Sequence, residues 1–303
     1  MASTELQMVL DMLRLGSPLA GTTIHEMRAN MEATAGAVPP PPDVRFETVR
    51  MGGVPAEWTR ADGADGSGAL LYLHGGGYCV GSIGTHRLLV SELARACGIP
   101  ALSLDYRLAP EHPHPAAVDD AVAAYRALLD TGVPARRIAI GGDSAGGGLT
   151  AAALLAIGAR GLPRPAAGVC ISPWFDLALS GDTCTTKVDL DPMCKPPILT
   201  MMAAAYLNGS DARTPGASPL YAESRDLAGL PPLLVQVGTS ETLLDDSRRF
   251  AVRAEQAGAR ITLEVWDDMI HVWHAFAMLL PEGRQAVERI GAFVRAAFEE
   301  NES

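Results

Sequence analysis

The chain has no C-x-x-C pair, and its five cysteines (Cys79, Cys97, Cys170, Cys184, Cys194) are odd in number and widely spaced. Neither a zinc site nor a disulfide framework is suggested, and a reducing compartment is the simplest setting. Basic charge is scarce. Lys and Arg number 24 against 35 Asp and Glu, a net charge of −11, which argues against nucleic acid and anionic membrane surfaces as partners. Charged residues of both signs make up only 19%, leaving no surplus for long solvated tails. In "MASTELQMVLDMLRLGSPLAG" no basic region precedes an apolar core, so a secretory signal is not expected. The longest mostly apolar stretch, near 145–159, is too short and too rich in Gly and Ala to span a bilayer. Together these absences predict a soluble cytoplasmic protein with no stable membrane association. A neutral or weakly polar small molecule is the partner that fits.

What is present is apolar residue in quantity, 48% of 303, enough for one large α/β domain with an insertion. Leu6, Val9, Leu10 and Leu13 stand at helical spacing, predicting a short amphipathic helix over 5–14. "GAVPPPPDV" (36–44) is a stiff connector between this arm and the main body. "FETVRM" and "VPAEWTR" alternate like a hairpin about Gly52-Gly53. From residue 69 short apolar runs alternate with helical patterns. The runs are "ALLYL" (69–73), "IPALSL" (99–104), "RIAI" (137–140), "AGVCIS" (167–172), "PLLVQV" (232–237) and "ITLEVW" (261–266). Such alternation is the signature of a parallel sheet covered by helices on both faces. Some sixty residues separate the fourth run from the fifth. An excursion of that length in a compact alternation predicts a lid or cap, placed at about 178–225. No internal repeat is visible.

Within "AIGGDSAGGGLT" (139–150), Ser144 follows a strand run and precedes a helical one, with Gly142 and Gly146 two places to either side. A serine on a tight strand-to-helix turn needs small residues there, and its hydroxyl then projects above the sheet. "LYLHGGGYCVGS" (71–82) places three glycines after another strand, with N–H groups free to donate to a developing oxyanion. Gly75 to Gly77 could equally form a phosphate loop, but no G-K-[ST] follows. The expected donors are Gly75, Gly76 and Ala145. His74 reads as a hydrogen-bonder that fixes the loop. A base must come from seven histidines. His86, His112 and His114 lie in the N-terminal half of the sheet, far from where a last-strand loop delivers an imidazole. "DDMIHVWHAF" (267–276) offers His271 and His274, and His271 is favoured because it stands in the loop before a helix-like run. "GTSETLLDDS" (238–247) offers Glu241, Asp245 and Asp246. Glu241 is nearest the strand end, while the two aspartates fall on the next helix as surface charge. The chain order Ser144, Glu241, His271 is the one expected of an α/β-hydrolase.

"HGGG" and "GDSAG", with "DYRLAPEHPHPAAVDD" (105–120) between them, resemble the hormone-sensitive-lipase-like family of α/β-hydrolases, specifically bacterial carboxylesterases. The resemblance runs from about residue 69 to 298. It implies an α/β-hydrolase fold, a mostly parallel twisted sheet with helices on both faces. It also implies a cap made from N-terminal helices (1–45) and the insertion, set on a catalytic domain at 46–303. The activity implied is cofactor- and metal-independent hydrolysis of short- to medium-chain acyl esters by a Ser–acid–His triad. The sequence departs from the family at the acid, where an aspartate followed by Pro-Leu-x-Asp is usual. Here Glu241 precedes Thr242-Leu243-Leu244-Asp245, and its longer side chain must bend back. A lactone hydrolase or an arylformamidase would carry the same triad. A non-catalytic small-molecule binder of the same fold is disfavoured because His271 is present. Homodimer formation is left open.

Overall fold

The computed structural model describes residues 3–16, 19 and 23–301. Parts of the N-terminal arm expected to be helical or capping (1, 2, 17, 18 and 20–22) and the terminal pair 302–303 lie outside the described residues. Eight strands form one sheet in the order β1-β2-β4-β3-β5-β6-β7-β8. β1 (Val44–Met51) and β2 (Val54–Ala61) make the expected antiparallel hairpin about Gly52 and Gly53, and β2 also pairs antiparallel with β4. The rest run parallel: β3 (Ala69–Leu73), β4 (Ala101–Leu104), β5 (Ile138–Asp143), β6 (Ala167–Ile171), β7 (Leu233–Gly238) and β8 (Ile261–Trp266).

Every residue of β3 to β7 is buried, because helices cover both faces and leave no side for water. The period of two is visible in β3. Leu71 and Leu73 pack into the core built with α4 (Ala116–Asp130), α5 (Ala145–Ala159) and α9 (Leu244–Gln256). Leu70 and Tyr72 point the other way, to Leu89, Val90 and Leu93 of α3 (Ile83–Cys97) and Val287, Ile290 and Val294 of α10 (Pro281–Glu300). β8 departs from the expectation of a strand buried on both sides. As an edge strand, none of its residues is buried.

α1 (Thr4–Leu15) turns Leu6, Val9 and Leu13 onto Met269, Ile270, Trp273 and Leu280, so the arm braces the loop after β8. α2 (Ile24–Gly36) has no apolar stripe to announce it, and only Met27 is buried. It begins at a capping box between Thr23 and Glu26. Polar bonds dock it, since Arg28 donates to the carbonyls of Cys79 and Ala109 and pairs with Glu111. Between β6 and β7 the chain makes α6 (Thr183–Thr186), α7 (Pro196–Leu207) and α8 (Ser224–Leu227). No helix among the described residues is long and apolar enough to cross a membrane.

The strand order reverses between β3 and β5, the loops after which lead off in opposite directions along the sheet. A crevice opens at the carboxyl ends of strands at such a switch point. The glycine run follows β3, and Ser144 follows β5.

Candidate active site

Ser144 has φ +53° and ψ −121°, a sparsely populated positive-φ conformation that L-residues adopt at a cost of about 1–3 kcal/mol. Neighbours enforce it. The Ser144 N–H donates to the Ile171 carbonyl (2.8 Å), and its own carbonyl accepts from Trp174 (2.9 Å) and Gly148 (3.0 Å). Glycine at 142 and 146 is obligatory, since a Cβ at either position would overlap the Leu73 carbonyl. The turn delivers Ser144 into a cavity of about 290 Å³ that is also lined by Gly76, Gly77, Met202 and His271. Ala145 opens helix α5 directly behind it, where first-turn N–H groups have no partner within the helix.

The loops after β7 and β8 are laced together. Ser240 donates to the Met269 carbonyl, Thr239 to the Trp266 carbonyl, and Asp268 to the Thr239 hydroxyl. Gly238 permits the approach, because a Cβ there would overlap the Met269 carbonyl. The outcome is a buried pair, with Glu241 Oε2 2.9 Å from His271 Nδ1. Glu241 is fully buried. Its other oxygen accepts from the Gly238 N–H (2.6 Å) and the Ser172 hydroxyl (2.8 Å). The side chain therefore does bend back, onto the amide three residues before it. Burial pushes the Glu241 carboxyl up against the pull of His271. Burial works against the His271 imidazolium too, but the adjoining Cys194 thiol and the Glu241 carboxylate outweigh it and raise its pKa well above the ordinary value. Burial drives the Cys194 thiol up to about 11.

The other candidates fall elsewhere. His274 is buried with Nε2 2.7 Å from the Gln236 side-chain oxygen, and burial lowers its pKa to about 3. Asp245 Oδ2 accepts from the Thr183 N–H. Asp246, expected as surface charge, is instead fully buried. Its Oδ2 accepts from the N–H groups of Phe175 and Asp176 (2.9 and 2.8 Å), pinning the turn after β6. The helix starts at Leu244, which rotates this face inward. His74 fixes its loop by contact with the Gly75 carbonyl (2.8 Å) and by stacking on Tyr106.

Two further expectations need correction. The Gly75 N–H donates to Asp143 Oδ1 (3.0 Å), and Gly75 does not line the cavity, so it is not a free donor. His86 is not remote, because β3 and β5 are neighbours and α3 starts over the sheet centre, bringing His86 to the cavity wall. Sequence reasoning also missed Ser172, whose hydroxyl binds Glu241 and accepts from the Val272 N–H (3.0 Å). Its one signal was position, a serine directly after a strand beside that of Ser144.

A family described as the alpha/beta hydrolase fold matches residues 70–275. The chain is 47% identical over 301 residues to an acetyl-hydrolase of Streptomyces hygroscopicus, covering 98% of each. It is 34% identical over 268 residues to an esterase of Acinetobacter venetianus, covering 88% of this chain and 87% of that one. The crystal structure of an esterase from the bacterial hormone-sensitive lipase family superposes with a TM-score of 0.94 at 51% identity, covering 98% of this chain and 99% of that one.

Proposed function

The chain belongs to the hormone-sensitive-lipase-like branch of the α/β-hydrolase family and is a carboxylic ester hydrolase, and from that premise we propose that Ser144, His271 and Glu241 hydrolyse short- to medium-chain acyl esters through an acyl-enzyme. The observation that carries this reading is the buried Glu241–His271 pair opening onto a cavity shared with Ser144. Ser144 Oγ attacks the ester carbonyl while His271 Nε2 takes its proton. Glu241 holds the Nδ1 hydrogen and stabilises the imidazolium. The imidazolium returns the proton to the departing alcohol, and a water molecule repeats the sequence on the acyl-enzyme. The N–H groups of Gly76, Gly77 and Ala145 receive the oxyanion. Loss of one such donor typically costs about 100- to 1000-fold in rate.

Helices α1 and α2 together with the α6–α8 excursion act as a cap. Met31 of α2 and Ile198, Leu199 and Met202 of α7 support this, since they line the same cavity as Ser144. The volume, about 290 Å³, lies at the small end for ligand pockets and suits a small apolar ester. The test is Ser144→Ala, which abolishes hydrolysis of p-nitrophenyl esters and leaves the fold intact, because the glycines and backbone bonds set the turn. An organophosphonate labels the native protein stoichiometrically at Ser144. Labelling of another serine overturns the assignment.

A further inference from the structure

Two polar side chains at the cavity wall have no part in that chemistry. Asp143 precedes Ser144, and His86 stands in the first turn of α3. Their side chains are only 4% and 11% exposed. Asp143 Oδ1 accepts from the Tyr72 hydroxyl (2.6 Å) and the Gly75 N–H (3.0 Å), and Oδ2 faces His86 Nε2 at 3.4 Å. His86 Nδ1 lies 2.8 Å from Thr85 Oγ1 and 3.2 Å from the Ser82 carbonyl. The Thr85 hydroxyl already donates to that carbonyl, so it meets the ring as an acceptor and Nδ1 carries a hydrogen. Nε2 is then the nitrogen that gains or loses a proton: protonated it faces the Asp143 carboxylate, and bare it accepts from the Gly75 N–H 3.3 Å away.

The other groups facing His86 are the His74 and Tyr72 rings, at 5.4 and 6.4 Å, and Glu32 of α2. Burial works against charge on both members of the pair, yet each favours the charged form of the other. His86 is raised above its ordinary value by Asp143, and Asp143 is held at about 2, chiefly by His86 and Tyr72.

We propose that Asp143 and His86 form a charge-compensated clamp on the oxyanion loop. The carboxylate draws the Gly75 N–H away from the cavity, which leaves Gly76 and Gly77 facing it. The imidazolium cancels the carboxylate charge beside the carbonyl oxygen that turns negative in the transition state. Both are positioning residues, acting through Gly75 and through the field they set. The clamp rests on the oxyanion site proposed above.

The experiment compares His86→Gln with the double variant His86→Gln/Asp143→Asn. The single variant strands a carboxylate next to the forming oxyanion. Its kcat falls roughly 10- to 100-fold, the scale of an unpaired charge near a reacting centre at an effective dielectric of about 20, and its KM stays within about twofold. Adding Asp143→Asn removes the stranded charge but keeps an acceptor for Gly75 and Tyr72. The double variant therefore recovers kcat at least about fivefold over the single one. It also lacks the alkaline decline in kcat that loss of the Nε2 proton gives the native enzyme. A purely structural role for His86 yields no rescue and an unaltered alkaline limb, and either result overturns the clamp. So does a single variant with native kcat. His86→Asn carries the same expectations and stands in if the glutamine variant does not fold. Phosphonate labelling of native Ser144 separates the two levels. Labelling without rescue defeats only the clamp, whereas no labelling at Ser144 defeats the proposed triad and oxyanion site themselves.

Discussion

Replacing Glu241 by glutamine changes one atom and should reverse the polarity of the base. Oε1 of Glu241 accepts from two donors, the Gly238 N–H and the Ser172 hydroxyl. In the variant the amide oxygen must occupy that place, because an NH2 group there would meet two donors with no acceptor. The NH2 group is left facing His271 Nδ1, 2.9 Å away in the native protein. It can only donate, so Nδ1 must be bare and the ring hydrogen moves to Nε2. An imidazole with Nε2–H cannot accept the Ser144 proton. In the best-studied serine triad, the same inversion costs about 10⁴ in turnover. We expect kcat to fall by at least about 100-fold, or roughly 2.7 kcal/mol of barrier. KM should change little, since Glu241 is fully buried and does not line the cavity. Hydrolysis of p-nitrophenyl butyrate over a range of concentrations separates the two constants. The pH profile gives a second readout. In the proposed triad His271 acts as a base only when neutral, and Glu241 helps raise its pKa well above the ordinary value. Native activity therefore falls as pH drops through a point above the usual histidine range, and the residual activity of the variant falls at lower pH. A loss below tenfold, or an inactive Asp245→Asn beside an active Glu241→Gln, refutes the reasoning.

Ser172→Ala removes a donor to Glu241 and the acceptor of the Val272 N–H; kcat should fall about tenfold and stability by about 1–3 kcal/mol, and unchanged values of both would remove Ser172 from the site. At Asp246, burial and the neighbouring Asp176 charge push the carboxyl well up, so a neutral amide is a close mimic. Asp246→Asn should be nearly silent in activity, whereas Asp246→Ala orphans two buried N–H groups and should lower stability by at least about 2 kcal/mol in urea unfolding. Over p-nitrophenyl esters of increasing length, the rate should peak at acyl chains of about eight carbons or fewer, because a cavity near 290 Å³ has little room for a longer chain; a rate jump above the solubility limit of a long-chain triglyceride would sink this.

Most of the sheet was legible because buried parallel strands write themselves as unbroken apolar runs, and "ALLYL" and "PLLVQV" fall on β3 and β7 within a residue. Helix α2 was not, since its attachment is the polar grip of Arg28 on two carbonyls and Glu111, and polar docking leaves no periodicity. β8 misled for the opposite reason. "ITLEVW" is apolar enough for a core strand, but only strand order makes it an edge, and strand order is a property of the whole sheet. The loops show the same division. That the glycine run and the Ser144 turn serve one crevice could be read from their following strands. Which N–H groups stay free could not, because the Gly75 amide is claimed by Asp143, 68 residues away in sequence. Glu241 is the most instructive position. Its spacing differs from nothing, only its length does, and length is accommodated by the Gly238 amide behind it and the Ser172 hydroxyl beside it. A glutamate without both donors would have one buried oxygen unmet, at a cost of about 1–3 kcal/mol or more for a charged group. Serine at 172 and a close-packed glycine at 238 are thus the conditions under which glutamate can stand where an aspartate is usual, and they come from two separate places in the sequence, just after β6 and at the end of β7.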